Sequence, residues 1–114
     1  AKYFTYIHAM DAVLPVMAGR IKDRYPADRK QWIPNGVWAE FRKLYYEIAH
    51  GSWRQNLLAL KEFADPSRVL FGTDFTPEAI ETTLRELPNA PYSQAELQAI
   101  ERDNAEKLFP RFKL

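Results

Sequence analysis

The chain contains no cysteine, only two histidines and only four glycines among its 114 residues. Without cysteine, disulfides and thiolate-held metal sites are excluded, and the redox compartment is left open. Neither sign of charge dominates: 16 Lys and Arg stand against 15 Asp and Glu, for a formal net charge of +1. That balance lacks the basic footprint of a DNA- or RNA-binding domain and offers no basic face to anionic lipid. No apolar run approaches the ~18 residues needed to cross a bilayer. The first apolar segment, Tyr3 to Ile7, is too short for a signal peptide and has no cleavage pattern. The expectations are no nucleic-acid partner, no membrane partner and a cytoplasmic location.

What is present suffices for one packed unit. Hydrophobic residues make up 46% of the chain, and the length suits one small domain over residues 1–114. Short β-rich runs alternate with longer helical patterns, the signature of βαβ units and a parallel sheet. The first unit is a strand over Tyr3–His8 and a helix over Val13–Arg24, with Pro15 in its first turn, where a missing N–H costs little. A connector over Tyr25–Gly36 carries Pro26, Pro34 and Gly36. Trp38–Leu44 is a short helical approach to a second strand, Tyr45–Ala49. Ser52 is the expected N-cap of a helix over Trp53–Ala64, with Leu57, Leu58, Leu60 and Phe63 as its apolar face. Asp65-Pro66-Ser67 reads as a turn before the third strand, Arg68–Thr73. Thr76 and Pro77 are expected to open a helix that ends near Leu87-Pro88. Ser93-Gln94-Ala95-Glu96 is a capping box for a last helix over Gln94–Phe109.

Three parallel strands are too few for a closed barrel, which needs eight. Alone they would leave strand edges exposed. The chain also opens almost directly on a strand, without an initiator Met, so further strands upstream are expected.

Ligands of parallel α/β folds bind beyond the C-terminal ends of the strands. His8, His50 and Asp74 follow the three strands, so their side chains are expected to converge on one face. His and Asp are natural ligands for zinc or manganese and natural acid–base groups. Each also has a plainer reading. His8 fits a satisfied core or loop histidine, and His50 before Gly51 fits a turn residue. Asp74 fits a helix cap, but Thr76 is better placed for that task. Gly72 suits either a close backbone approach or a bulge. Arg20 suits either a solvated helix face or a carboxylate substrate. Trp32, Trp38 and Trp53 read as core or interface packing.

Four segments, in order, carry a family resemblance. They are Tyr6-Ile-His-Ala with Leu14-Pro15 and Gly19-Arg20-Ile21; Leu44-Tyr-Tyr-Glu-Ile-Ala49; Arg68-Val-Leu-Phe-Gly-Thr-Asp-Phe75; and Asn104-Ala-Glu-Lys-Leu-Phe109. Together they resemble strands six, seven and eight and the terminal helix of the amidohydrolase-2 group, the relatives of aminocarboxymuconate-semialdehyde decarboxylase. The resemblance implies the C-terminal three strand–helix units of a TIM (β/α)8 barrel, plus a terminal helix, as an incomplete barrel. It implies that Asp74 is a ligand of a divalent metal, zinc by expectation, and exchanges a proton with metal-bound water. It implies that His8 orients or activates that water, that Arg20 reaches a substrate carboxylate in a partner subunit's site, and that Asn104 pins the final helix. Met10-Asp11 stands where the family has Gly-Gly, Glu47-Ile48 where it has Asp-Thr, and Thr76 displaces the usual proline to Pro77. The family's His-x-His pair and strand-five histidine are absent from this chain.

The function implied is a metal-dependent decarboxylase, or failing that a hydrolase, for a small carboxylated substrate, homo-oligomeric in its full-length form. With one good metal ligand where zinc takes three or four, the 114 residues alone are expected to be inactive. The alternative is a non-catalytic α/β association module that pairs through its sheet edges.

Overall fold

A computed structural model describes residues 6–7 and 13–113. Its centre is a three-stranded parallel sheet in the order β1-β2-β3, formed by Tyr6–Ile7, Tyr45–Glu47 and Val69–Leu70. Tyr6 pairs with Tyr45, and Tyr46 pairs with Val69. β2 and β3 are shorter than the expected Tyr45–Ala49 and Arg68–Thr73.

Helices make the crossovers. Between β1 and β2 lie α1 (Val13–Arg24), a 3-10 turn over Ala27–Trp32 and α2 (Val37–Phe41). Between β2 and β3 lies α3 (Arg54–Phe63). After β3 come α4 (Ile80–Glu86), then α5 (Gln94–Gln98), which runs on through a π-helical stretch, Ala99–Asp103, into α6 (Asn104–Leu108).

The period-2 alternation of the strands sorts their side chains. Tyr46, Ile48 and Val69 face the helices and join a core with Leu57, Leu60, Phe63, Leu97 and Ile100. Phe63 is its hub, with the rings of Trp38, Phe41 and Tyr46 within 6 Å or less of its own (5.6, 5.8 and 5.8 Å). Glu47 and Gly72 alternate to the opposite face. There a Cβ on residue 72 would overlap the Glu47 carboxylate, which also accepts from Ala49 N–H at 2.8 Å. Gly72 is therefore a close approach, made by a side chain of the neighbouring strand.

Several expected boundaries shift. Trp53, not Ser52, precedes the first turn of α3, and Ser52 is buried. Leu58 points outwards while Leu57, Leu60 and Phe63 are buried. Thr76 and Pro77 do not open a helix; residues 75–77 form a turn and α4 begins at Ile80. Trp38 packs an edge of its ring on Phe63 while about a third exposed, and Trp32 and Trp53 lie more exposed. The capping box is formed, with Ser93 Oγ accepting from Glu96 N–H and Glu96 accepting from Ser93 N–H.

The last helix also seals the outer edge of β3. Phe71 N–H donates to the Ile100 carbonyl at 3.0 Å, within the π-helical stretch. Asn104 Nδ2 donates to the carbonyls of Pro66 and Val69, each at 2.8 Å. The pinning role expected of Asn104 has this physical form.

Candidate active site

Beyond the C-terminal ends of β2 and β3, two turns bring three titratable side chains together. After β2, Gly51 N–H closes a turn on the Ile48 carbonyl at 3.1 Å, and His50 inside it adopts φ 52°. After β3, Glu78 N–H closes a wider turn on the Asp74 carbonyl at 3.1 Å, and Asp74 adopts φ 54°. Left-handed backbone at a non-glycine residue costs on the order of 1 kcal/mol or more and gathers at functional sites; His and Asp tolerate it better than most.

His50 Nε2 lies 2.8 Å from Asp74 Oδ2, and His50 Nδ1 lies 3.1 Å from Glu78 Oε2. Each of the three side chains is about one-third exposed (34%, 32% and 32%). Glu78 is held in turn by Thr82, whose hydroxyl donates to its Oε1 at 2.9 Å. A carboxylate only accepts, and a neutral imidazole has one N–H. The His50–Asp74 contact is a hydrogen bond and the His50–Glu78 contact an ion-pair distance, so an imidazole stands between two carboxylates at the strand ends, which is general acid–base equipment.

Of the three residues expected to converge on one face, His50 and Asp74 stand together in this cluster. His8 lies outside the described residues. Arg20 is exposed on α1, and the contacts joining His50, Asp74 and Glu78 do not include it. His50, which fits a plain turn by sequence, is both a turn residue and the partner of Asp74. Glu78 was not anticipated. Its only signal is the four-residue spacing from Asp74, which reads as helical when Thr76-Pro77 is taken as a helix start.

The described residues do not by themselves fit a metal ion. No group of three or more His, Asp or Glu among them is arranged to hold one. Asp74 offers a single carboxylate, whereas structural and catalytic zinc take three or four protein ligands.

The sequence profile of the amidohydrolase family matches residues 18–111. The chain belongs to the amidohydrolase-2 family. The family fold is a TIM barrel, and a small parallel sheet with crossover helices is what an incomplete barrel looks like. Solved structures agree. The chain is similar to 2,6-dihydroxybenzoate decarboxylase from Rhizobium, with a TM-score of 0.71 and 22% identity over 88% of this chain and 32% of that one. It is similar to a dihydroxybenzoic acid decarboxylase from a Polaromonas species, solved with manganese and the inhibitor 2-nitroresorcinol (TM-score 0.70, 24% identity, 89% of this chain and 32% of that one). A 2,6-dihydroxybenzoate decarboxylase complexed with 2,6-dihydroxybenzoate gives a TM-score of 0.70 and 25% identity over 85% of this chain and 31% of that one. The chain thus spans about a third of the length of these structures. No curated protein matches it. Membership of an enzyme family does not favour the non-catalytic association module. No helix of the described residues is long and apolar enough to cross a membrane.

Proposed function

We propose that the chain forms the last three strand–helix units and terminal helix of an amidohydrolase-2 barrel whose activity is metal-dependent decarboxylation of a small carboxylated substrate. The observation that carries this is the His50–Asp74 contact at the C-terminal ends of neighbouring parallel strands, where the ligands of such folds bind. The solved relatives that act on dihydroxybenzoates support an aromatic acid as the substrate class.

Decarboxylation breaks the bond between a carbon and its carboxylate. The electron pair stays on that carbon as CO2 leaves, and a proton must replace it. Asp74, backed by His50, is the described group able to hold and move that proton at the strand ends. In this reading His8 is a second acid–base group and Arg20 binds the substrate carboxylate in a partner subunit's site of a homo-oligomer, a geometry suited to a planar guanidinium. Asp74 would also lend one oxygen to a divalent cation whose other donors are not among the described residues. Manganese is present in one solved relative. Zinc, the expectation from sequence, takes the same nitrogen and oxygen donors.

The test is the Asp74→Asn variant in a catalytically competent protein containing this chain, with CO2 release followed from 2,6-dihydroxybenzoate. Turnover should fall by about 10²-fold or more, with circular dichroism unchanged. Undiminished turnover would remove Asp74 from the mechanism. Turnover of an amide in place of a carboxylate would move the reaction to hydrolysis, which draws on the same acid–base groups.

A further inference from the structure

We propose that His50 and Glu78 are positioning residues for Asp74: a Thr82–Glu78–His50–Asp74 relay fixes the orientation of the Asp74 carboxylate. This rests on the reading of Asp74 as a catalytic group. Three observations carry it independently of that group's own chemistry.

First, the relay is continuous. The Thr82 hydroxyl meets Glu78 Oε1 at 2.9 Å, Glu78 Oε2 meets His50 Nδ1 at 3.1 Å, and His50 Nε2 meets Asp74 Oδ2 at 2.8 Å. Both ring nitrogens therefore face a carboxylate oxygen, the Asp74 contact as a hydrogen bond and the Glu78 contact at ion-pair distance. Second, the backbone on both sides is shaped for it. His50 and Asp74 are the two described non-glycine residues with positive φ, at 52° and 54°. Left-handed backbone at non-glycine residues gathers at functional sites. Third, the turn that carries Asp74 also carries Glu78, because Glu78 N–H donates to the Asp74 carbonyl at 3.1 Å. One loop therefore presents two carboxylates to the same ring, and Thr82 on α4 anchors that loop from the helix side.

Asp74 sits in a loop and is about one-third exposed. Clamping it through an imidazole, itself held by a second carboxylate, limits Asp74 to one orientation toward the strand-end site. Partners of this outer kind change activity without touching substrate.

The experiment compares Glu78→Ala, Glu78→Gln, His50→Asn and Asp74→Asn in a catalytically competent protein containing this chain, measuring kcat and KM separately. Asparagine tolerates positive φ, so His50→Asn keeps the turn while losing the bridge. Glu78→Ala is expected to lower kcat by about 10-fold or more, with KM changed by less than about twofold. Glu78→Gln, which restores an acceptor for Nδ1–H, should recover most of that loss. The His50→Asn and Glu78→Ala effects should not multiply in the double variant, since both break one relay. If Asp74→Asn abolishes turnover while Glu78→Ala and His50→Asn leave kcat unchanged, the relay is wrong and the reading of Asp74 survives. If Asp74→Asn also leaves turnover unchanged, the functional reading itself has failed. Equal losses in Glu78→Gln and Glu78→Ala, accompanied by lowered melting temperatures, would reduce Glu78 to a fold residue and overturn the proposal.

Discussion

Two residues show how tightly individual positions are constrained. Asn104 is 2% exposed and spends both N–H bonds on the carbonyls of Pro66 and Val69. Truncation would leave the buried Val69 carbonyl without this donor, while Pro66 keeps the N–H of Val69, at a cost of about 1–3 kcal/mol. Urea unfolding of Asn104→Ala should show that loss with an unchanged m-value. Gly72 has no room for a Cβ because the Glu47 carboxylate occupies the space. Gly72→Ala is expected to destabilise by about 1–3 kcal/mol through overpacking. The pair Gly72→Ala with Glu47→Ala should recover part of it, which a double-mutant cycle would measure. Of these two, the role of Asn104 was legible from its family motif. The reason for Gly72 was not, because it lies on a different strand.

At the scale of elements, the start of the last helix is the best-specified local structure. Ser93 and Glu96 exchange hydrogen bonds, and Glu96 also receives Lys61 from α3 at 2.9 Å. Ser93→Ala should cost about 1 kcal/mol in chemical unfolding. The hydrogen bond from Lys61, then that from Ser93 N–H, holds the Glu96 carboxyl below the usual glutamate range. A carboxyl depressed in the folded state stabilises it above the unfolded value, and that contribution fades as pH falls through the folded value. The stability gap between the parent and Glu96→Gln should therefore be present at neutral pH and shrink below roughly pH 4. A gap independent of pH would assign the effect to packing. The capping box was readable because its four residues are contiguous. The π-helical stretch was not: it widens the helix where Ile100 O meets Phe71 N–H, a contact across about thirty residues of chain.

At the scale of the whole molecule, the parallel sheet has three strands and the described residues contain no group able to hold a metal alone. Titration of the 114-residue chain with zinc or manganese, followed by fluorescence or calorimetry, should show no site tighter than about micromolar, since one carboxylate cannot replace three or four ligands. Tight one-to-one binding would overturn the view that the remaining donors lie beyond the described residues. The outer edge of β3 is already occupied at Phe71 and Val69 by the last helix. That protection answers, for this edge, the exposure expected of an isolated sheet.

The sequence by itself determined the element order, the places of β2 and β3, α1 at its observed bounds, the capping box and the position of Asp74 just beyond β3. Each is written in local periodicity, in contiguous capping residues or in a short family motif. Only the tertiary structure decided that α4 starts at Ile80 and not at Thr76, that Glu47 fills the space beside Gly72, and that Glu78 joins His50 and Asp74. The physical reason is common to all three. Thr76 and Pro77 satisfy the local rules for a helix start, but the loop instead closes on Asp74 through Glu78 N–H, and its side chains find His50 across the strand ends. The Glu78 contact with His50 crosses from one strand end to the next, and no local rule reaches so far.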